Sequence, residues 1–237
     1  MLIDSLTPFM LTNNNLNYFF NDENKKIIKK TTKKSELKSP NVFIPYQNDK
    51  LFWIFFYMKY GYIEYNLVGS NSFTKEMDIK LNLSKSIKEN KSLLKELKFK
   101  KIGDNENELM CEKETSFKTF VMINIINNIS FIYIVENMYY KYVVEDSDEC
   151  YIIHNLNNNY GCEKIKSDQI SIYEKCRFHV ENYEKPILCM SKYKMEDLIN
   201  IAQMLNVETY DENNKKLKKN DLYDNIIHKF NIFYKIE

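Results

Sequence analysis

The chain has 237 residues, of which 44% are hydrophobic, so it is long enough for one domain with appendages or for two unequal domains, and a lone peptide-sized module is excluded. Lys and Arg number 34 against 33 Asp and Glu. The resulting net charge of +1 supplies no global field toward nucleic acid or an anionic membrane, and any such attraction has to come from a local patch.

The residue choice is biased. Lys far outnumbers Arg, Asn, Ile and Tyr are abundant, and there are only four Gly and four Pro, a pattern expected from an AT-rich genome. The five cysteines, Cys111, Cys150, Cys162, Cys176 and Cys189, are odd in number, widely spaced and without a CxxC pair. Reduced thiols in a cytosolic compartment are expected, not a disulfide framework or a zinc knuckle. The N-terminus "MLIDSLTPFMLTNNN" has Asp4 and no cationic leader, so no signal peptide is expected. No stretch reaches the roughly 20 apolar residues of a membrane span.

In chain order, Leu2, Leu6, Phe9, Met10, Leu11, Leu16, Tyr18, Phe19 and Phe20 make a short apolar peptide. Residues 21–40 follow with seven lysines and few apolar residues beyond Ile27, Ile28 and Leu37, which predicts a linker or arm unable to bury surface against its chain entropy. An α+β domain is expected over residues 40–185. "NVFIPY" fits a short strand closed by Pro45, and Asn48 or Asp49 then caps a helix, "KLFWIFFYMKYG", that ends near Gly61. Apolar residues lie all round this helix, which therefore belongs at the centre of the core.

Met77, Ile79, Leu81 and Leu83 alternate, leaving residues 74–83 open between strand and helix, while Ile87, Leu93, Leu94 and Leu97 predict a helix from about Ser84 to Lys98. A further helix carries Phe117, Phe120, Val121 and Ile125 on one face, with Thr115 or Ser116 as cap and Asn127–Asn128 as its end. "ISFIYIVE", "YYKYVVE", "CYIIHN" and "YGCEKIK" read as strands of a small antiparallel meander, and "SDQISIYEKCRF" as a helix capped by Ser167 or Asp168.

Residues 186–237 form a helix–loop–helix. Met195, Leu198, Ile199, Ala202 and Leu205 mark its first apolar stripe, and Leu222, Ile226, Ile227 and Phe230 the second. The segment "SKYKMEDLINIAQMLNVETYDENNKKLKKNDLYDNII", residues 191–227, resembles SAP-type and Rho-N-terminal-like modules. In those families the second helix and the loop before it approach the DNA backbone. The resemblance therefore implies phosphate contacts from Lys215, Lys216, Lys218 and Lys219. The loop departs from the pattern in length, in having Asn213 and Asn214 where a glycine is usual, and in carrying Glu208, Asp211 and Glu212.

"NDKLFWIFF" resembles the start of the buried helix in ovarian-tumour-type (OTU) cysteine proteases, keeping Asp49, Leu51 and Phe52 but placing Lys50 where the nucleophilic cysteine stands. Lysine does not replace a thiolate in that chemistry, so the resemblance implies an inactive relative unless another cysteine acts. Cys150 and His154 lie about 13 Å apart if on one strand, while Cys176 and His179 meet if on one helical turn. His154 and His179 with Glu181 or Glu184 match no metal signature, the isolated glycines make no phosphate loop, and Asp146 and Asp148 in "EDSDE" fit a solvated turn. Tyrosine-rich strands can stack bases but are ordinarily half-buried sheet residues.

Together, "IPYQNDKLFWIFFYMKYG", "KTFVMINIINNISFIYIV", the Lys/Asn/Ile/Tyr bias and the SAP-like tail resemble poorly characterised proteins of giant nucleocytoplasmic DNA viruses. That implies a viral factory in the host cytoplasm, or the virion. The expectation is a non-enzymatic viral accessory protein that binds DNA or a DNA-bound assembly, with viral proteins as further partners, no membrane association and no small-molecule cofactor or metal. The alternatives are an OTU- or papain-like cysteine protease and a structural virion protein.

Overall fold

The computed structural model describes the backbone of residues 42–155, 159–175, 177–210 and 214–234. The apolar peptide and lysine-rich segment expected over residues 1–39 lie outside the described residues. Residues Pro40–Glu237 form one compact α+β unit, with eight helices and a five-stranded sheet among the described residues.

Helix α1, Lys50–Leu67, starts where predicted: the Asp49 carboxylate accepts the Phe52 N–H at 3.1 Å, and the Asp49 carbonyl accepts the Trp53 N–H. Leu51 to Phe56 and Met58 are all buried, so the all-round apolar pattern corresponds to a central helix. Each such side chain removed from water stabilises the fold by about 1.5–3 kcal/mol. Gly61 does not end α1 as its sequence position predicts. At φ 87°, ψ 171° it kinks the helix, which resumes and carries Tyr65 back onto Trp53 (5.9 Å, edge-on) and Phe43 (4.8 Å). Among the described residues of "NVFIPY" the strand pairing is limited to an isolated bridge, Phe43 to Cys162.

The open stretch at 74–83 is helical. It belongs to α2, Ser72–Glu89, because Ile79, Lys80, Leu83 and Ile87 share one buried face. The helix predicted from Ser84 to Lys98 is broken at Asn90, whose amide side chain bonds the Ser86 carbonyl at 2.9 Å, and restarts as α3, Lys91–Glu96. Helix α4, Ile102–Cys111, has no counterpart in the sequence reading. It buries only Ile102, Asn105 and Leu109, too sparse a pattern to read in "IGDNENELMC". Helix α5, Phe117–Ile126, has the expected Ser116 cap, whose hydroxyl accepts the Thr119 N–H, and it ends at Asn127.

The sheet comprises β1 (Phe131–Val135), β2 (Met138–Tyr142), β3 (Glu149–Asn155), β4 (Tyr160–Lys166) and β5 (Phe178–His179), in the order β4-β3-β1-β2-β5. It is mixed, not an antiparallel meander: β1–β2 and β3–β4 are antiparallel hairpins, but β1–β3 and β2–β5 are parallel. The reason lies in the link after β2. Val144 N–H donates to the Ser130 hydroxyl, so the chain turns around the start of β1 and lays β3 on its far side, where Tyr151 N–H bonds the Ser130 carbonyl. The vacated edge of β2 takes β5 through Phe178 N–H to Asn137 O and Val180 N–H to Tyr139 O.

One sheet face packs on the large core, with the Phe117 and Tyr133 rings 3.8 Å apart and Phe120 against Phe131. The other carries a smaller cluster of Ile132, Tyr139, Cys150, Ile152 and Ile165, over which Ile170 and Tyr173 of α6 (Ile170–Glu174) lie. The two C-terminal helices, α7 (Met195–Leu205) and α8 (Lys219–Tyr234), form as predicted and join the large core through Leu198, Ala202, Leu205, Leu222, Ile226 and Phe230. Phe230 meets Phe178 of β5 at 5.4 Å, and Lys229 pairs with Glu136 of the β1–β2 turn. No described helix is long and apolar enough to cross a membrane.

Candidate nucleic-acid interface

The lysine group sits at the start of α8 and is placed by the chain on either side of it. Helix α7 ends when Asn206 adopts a left-handed conformation (φ 55°), and Val207 N–H then bonds the Ala202 carbonyl at 2.8 Å. The chain returns through an antiparallel bridge between Tyr210 and Lys216 and a bond from Leu217 N–H to Thr209 O. Leu222, fully buried, anchors the first turn of α8, and its N–H bonds the Lys218 carbonyl at 3.0 Å.

Of the four predicted lysines, Lys219 opens α8, Lys218 directly precedes it, and Lys215 and Lys216 lie on the bridged segment just before it. Lys215, Lys216 and Lys218 are exposed, and Lys219 is half-buried in the first turn. Lys216, Lys218 and Lys219 form no ion pair among the described residues. The helix end adds the partial positive charge of its unpaired N–H groups. Against this stand the exposed Glu208 and Asp221, the latter in the first turn of α8. Phosphate groups bind such an arrangement without a deep pocket.

The thiol candidates are arranged otherwise. Cys150 and Cys162 are both buried, and burial pushes the Cys150 thiol up to about 12 and raises Cys162 as well, the reverse of what activates a nucleophile. His154 stays with Glu163, 3.2 Å from its carboxylate, on the α6 side of the sheet, whereas Cys162 faces the large core. Cys176 lies outside the described residues, and with it the Cys176–His179 pair. The His179 ring stacks on Tyr139 at 4.8 Å, and burial, helped by Lys141, holds its pKa below the ordinary value. No described group of three or more His, Cys, Asp or Glu is arranged to hold a metal ion.

At the start of α1, where the OTU-like pattern falls, the Lys50 ammonium donates to the Pro45 carbonyl at 2.7 Å. Beside it lies a polar cluster that the sequence did not reveal. Asp49 accepts from Thr115 N–H (3.0 Å), from the Thr115 hydroxyl (2.7 Å) and from Lys80 (2.6 Å), while Glu76 takes Lys80 at 2.9 Å and the Trp53 indole N–H at 2.9 Å. Burial opposes the charge on Lys80, but the Asp49 carboxylate, together with Glu76, outweighs it and raises the lysine pKa. Every acceptor in the cluster is engaged, so it works as an internal clamp joining α1, α2 and the α4–α5 link. Its only sequence signal is a lysine within the inward-facing spacing of α2.

No protein-family model matches the chain, and neither does any curated protein or solved structure.

Proposed function

We propose that the protein is a non-enzymatic accessory protein that holds DNA, or a DNA-bound assembly, through the lysine-flanked start of α8. The observation that supports this reading is the run of Lys215, Lys216, Lys218 and Lys219 leading into a 16-residue helix whose other face is locked into the core. A charged end on a rigid support loses little freedom on contact, and phosphate is the ligand that lysines and a helix N-terminus favour together. Such contacts position a backbone without reading sequence, so the affinity is expected to be tolerant of base composition. The setting that fits the viral resemblance is the cytoplasmic factory or the virion, with viral proteins as further partners.

Four phosphate contacts give a salt slope of about −3.6, so affinity for duplex DNA falls about 150-fold between 50 and 200 mM salt. A salt titration of the full chain on duplexes of two unrelated sequences tests this. Equal, steeply salt-dependent binding to both supports the reading. Absence of binding at low salt overturns it and leaves a structural role among virion proteins.

A further inference from the structure

We infer that the phosphate-binding surface extends beyond the helix pair onto Lys185 and Lys192 of the segment leading into α7, so that two stretches distant in sequence form one cationic face for a polynucleotide backbone. The inference rests on the proposed DNA-binding reading and enlarges its site.

The link between the stretches is Tyr223. Its hydroxyl donates to the Leu188 carbonyl at 2.7 Å, and Leu188 N–H in turn donates to the Tyr193 hydroxyl at 3.1 Å. Ile187 is buried in the large core and a 3-10 turn, Met190–Lys192, closes with Lys192 N–H on the Cys189 carbonyl, so the segment has a defined course over α8. Tyr223 stands four residues after Lys219, hence one turn along the same helix face. Docking the segment on Tyr223 therefore brings it beside the lysine-bearing end of α8.

Lys185 and Lys192 are both exposed and form no ion pair among the described residues. Cys189 lies between them in the chain, its thiol 3.3 Å from the Ser191 hydroxyl; that contact, then the charges of Lys185 and Lys192, draw its thiol pKa down. The nearest acids do not cancel the patch. Glu184 is taken by Lys118 and by the Lys100 N–H, Asp197 caps the Lys194 N–H, and Asp221 and Asp224 alone stand in the first turns of α8. Lys185, Lys192, Lys216, Lys218 and Lys219 outnumber the exposed Glu208, Asp221 and Asp224, which leaves a net positive face longer than a single phosphate needs.

The test compares two variants of the full chain in salt titrations on duplex DNA: Lys185→Ala/Lys192→Ala, and Lys216→Ala/Lys218→Ala/Lys219→Ala. The inference predicts that the pair lowers the slope by about 1.8, two phosphate contacts, with thermal unfolding unchanged. A second arm uses Cys189 as a probe in a Cys111→Ser/Cys176→Ser background. Carboxymethylation, which adds a negative charge, is expected to weaken binding several-fold more than the neutral carbamidomethyl group. If the α8 triple variant loses slope while the pair variant and both adducts bind like the parent, this inference falls and the DNA-binding reading stands. If the parent chain binds no duplex at low salt, both fall.

Discussion

The Lys80 ammonium lies 2.6 Å from the Asp49 carboxylate, with the two side chains 3% and 1% exposed, so a full ion pair is sealed beneath the start of the central helix. Such a pair adds little over well-packed apolar residues, but breaking it strands a charge. Lys80→Ala leaves Asp49 and Glu76 uncompensated and is expected to cost about 3–5 kcal/mol in denaturant unfolding. An Asp49→Asn/Lys80→Met double variant should recover a large part of that loss. Equal losses in the single and double variants would contradict the clamp.

The alkaline side of the stability profile follows from buried tyrosines and the same lysine. Burial raises Tyr140 to about 12 and raises Tyr133, Tyr151 and Tyr160 too, while Lys80 is raised by its carboxylates. Each folded-state pKa lies above its unfolded value, about 10 for tyrosine and about 10.4 for lysine. The stabilisation is thus fully present below those values and is lost as pH rises through the folded-state ones. Phenolate absorbance should therefore rise in two stages, with the buried tyrosines ionising only as the chain unfolds. Full ionisation near pH 10 without unfolding would refute this.

Gly61 holds φ 87°, ψ 171°, a region that residues with a Cβ rarely occupy, and apart from the adjoining stretch of its own chain no atom lies within 4 Å of where a Cβ would stand. Gly61→Ala should therefore destabilise by about 1–3 kcal/mol through backbone strain alone. Because Tyr65 reaches Trp53 only across this kink, emission from the single tryptophan is expected to change in the same variant. Unaltered emission and stability would mean that the kink is not required.

Thiol accessibility gives a further check. Cys111 and Cys189 are exposed, Cys150 and Cys162 buried. Of these four, a thiol-titrating reagent should label Cys189 first, because its pKa is lowered by Ser191 and the neighbouring lysines, and Cys111 next. Cys150 and Cys162 should react only on unfolding. Prompt native-state labelling of either would contradict the placement of β3 or β4 in the core.

The elements legible in the sequence are those whose signal is local. Asp49 and Ser116 announce their helices by capping, and α7 and α8 by apolar residues at three and four. Helix α4 was hidden because its buried face is three residues long in an acidic stretch. The strand pairing was hidden because the choice between β2 and β1 as partner of β3 turns on one distant contact, Ser130 with Val144. The same division runs through the proposed interface. Lys215, Lys216, Lys218 and Lys219 are neighbours in the chain and could be grouped from sequence, whereas Lys185 and Lys192 join them only through Tyr223 and Leu188, 35 residues apart.

The central claim is that the start of α8 neutralises phosphates. It is tested most directly by the affinity of the full chain for duplex DNA across a salt series, beside a Lys215→Ala/Lys216→Ala/Lys218→Ala/Lys219→Ala variant. Phosphate neutralisation there gives steep salt dependence for the parent and a slope reduced by about 0.9 for each phosphate contact removed. Parent and variant with the same slope, or a parent that does not bind at low salt, would contradict it.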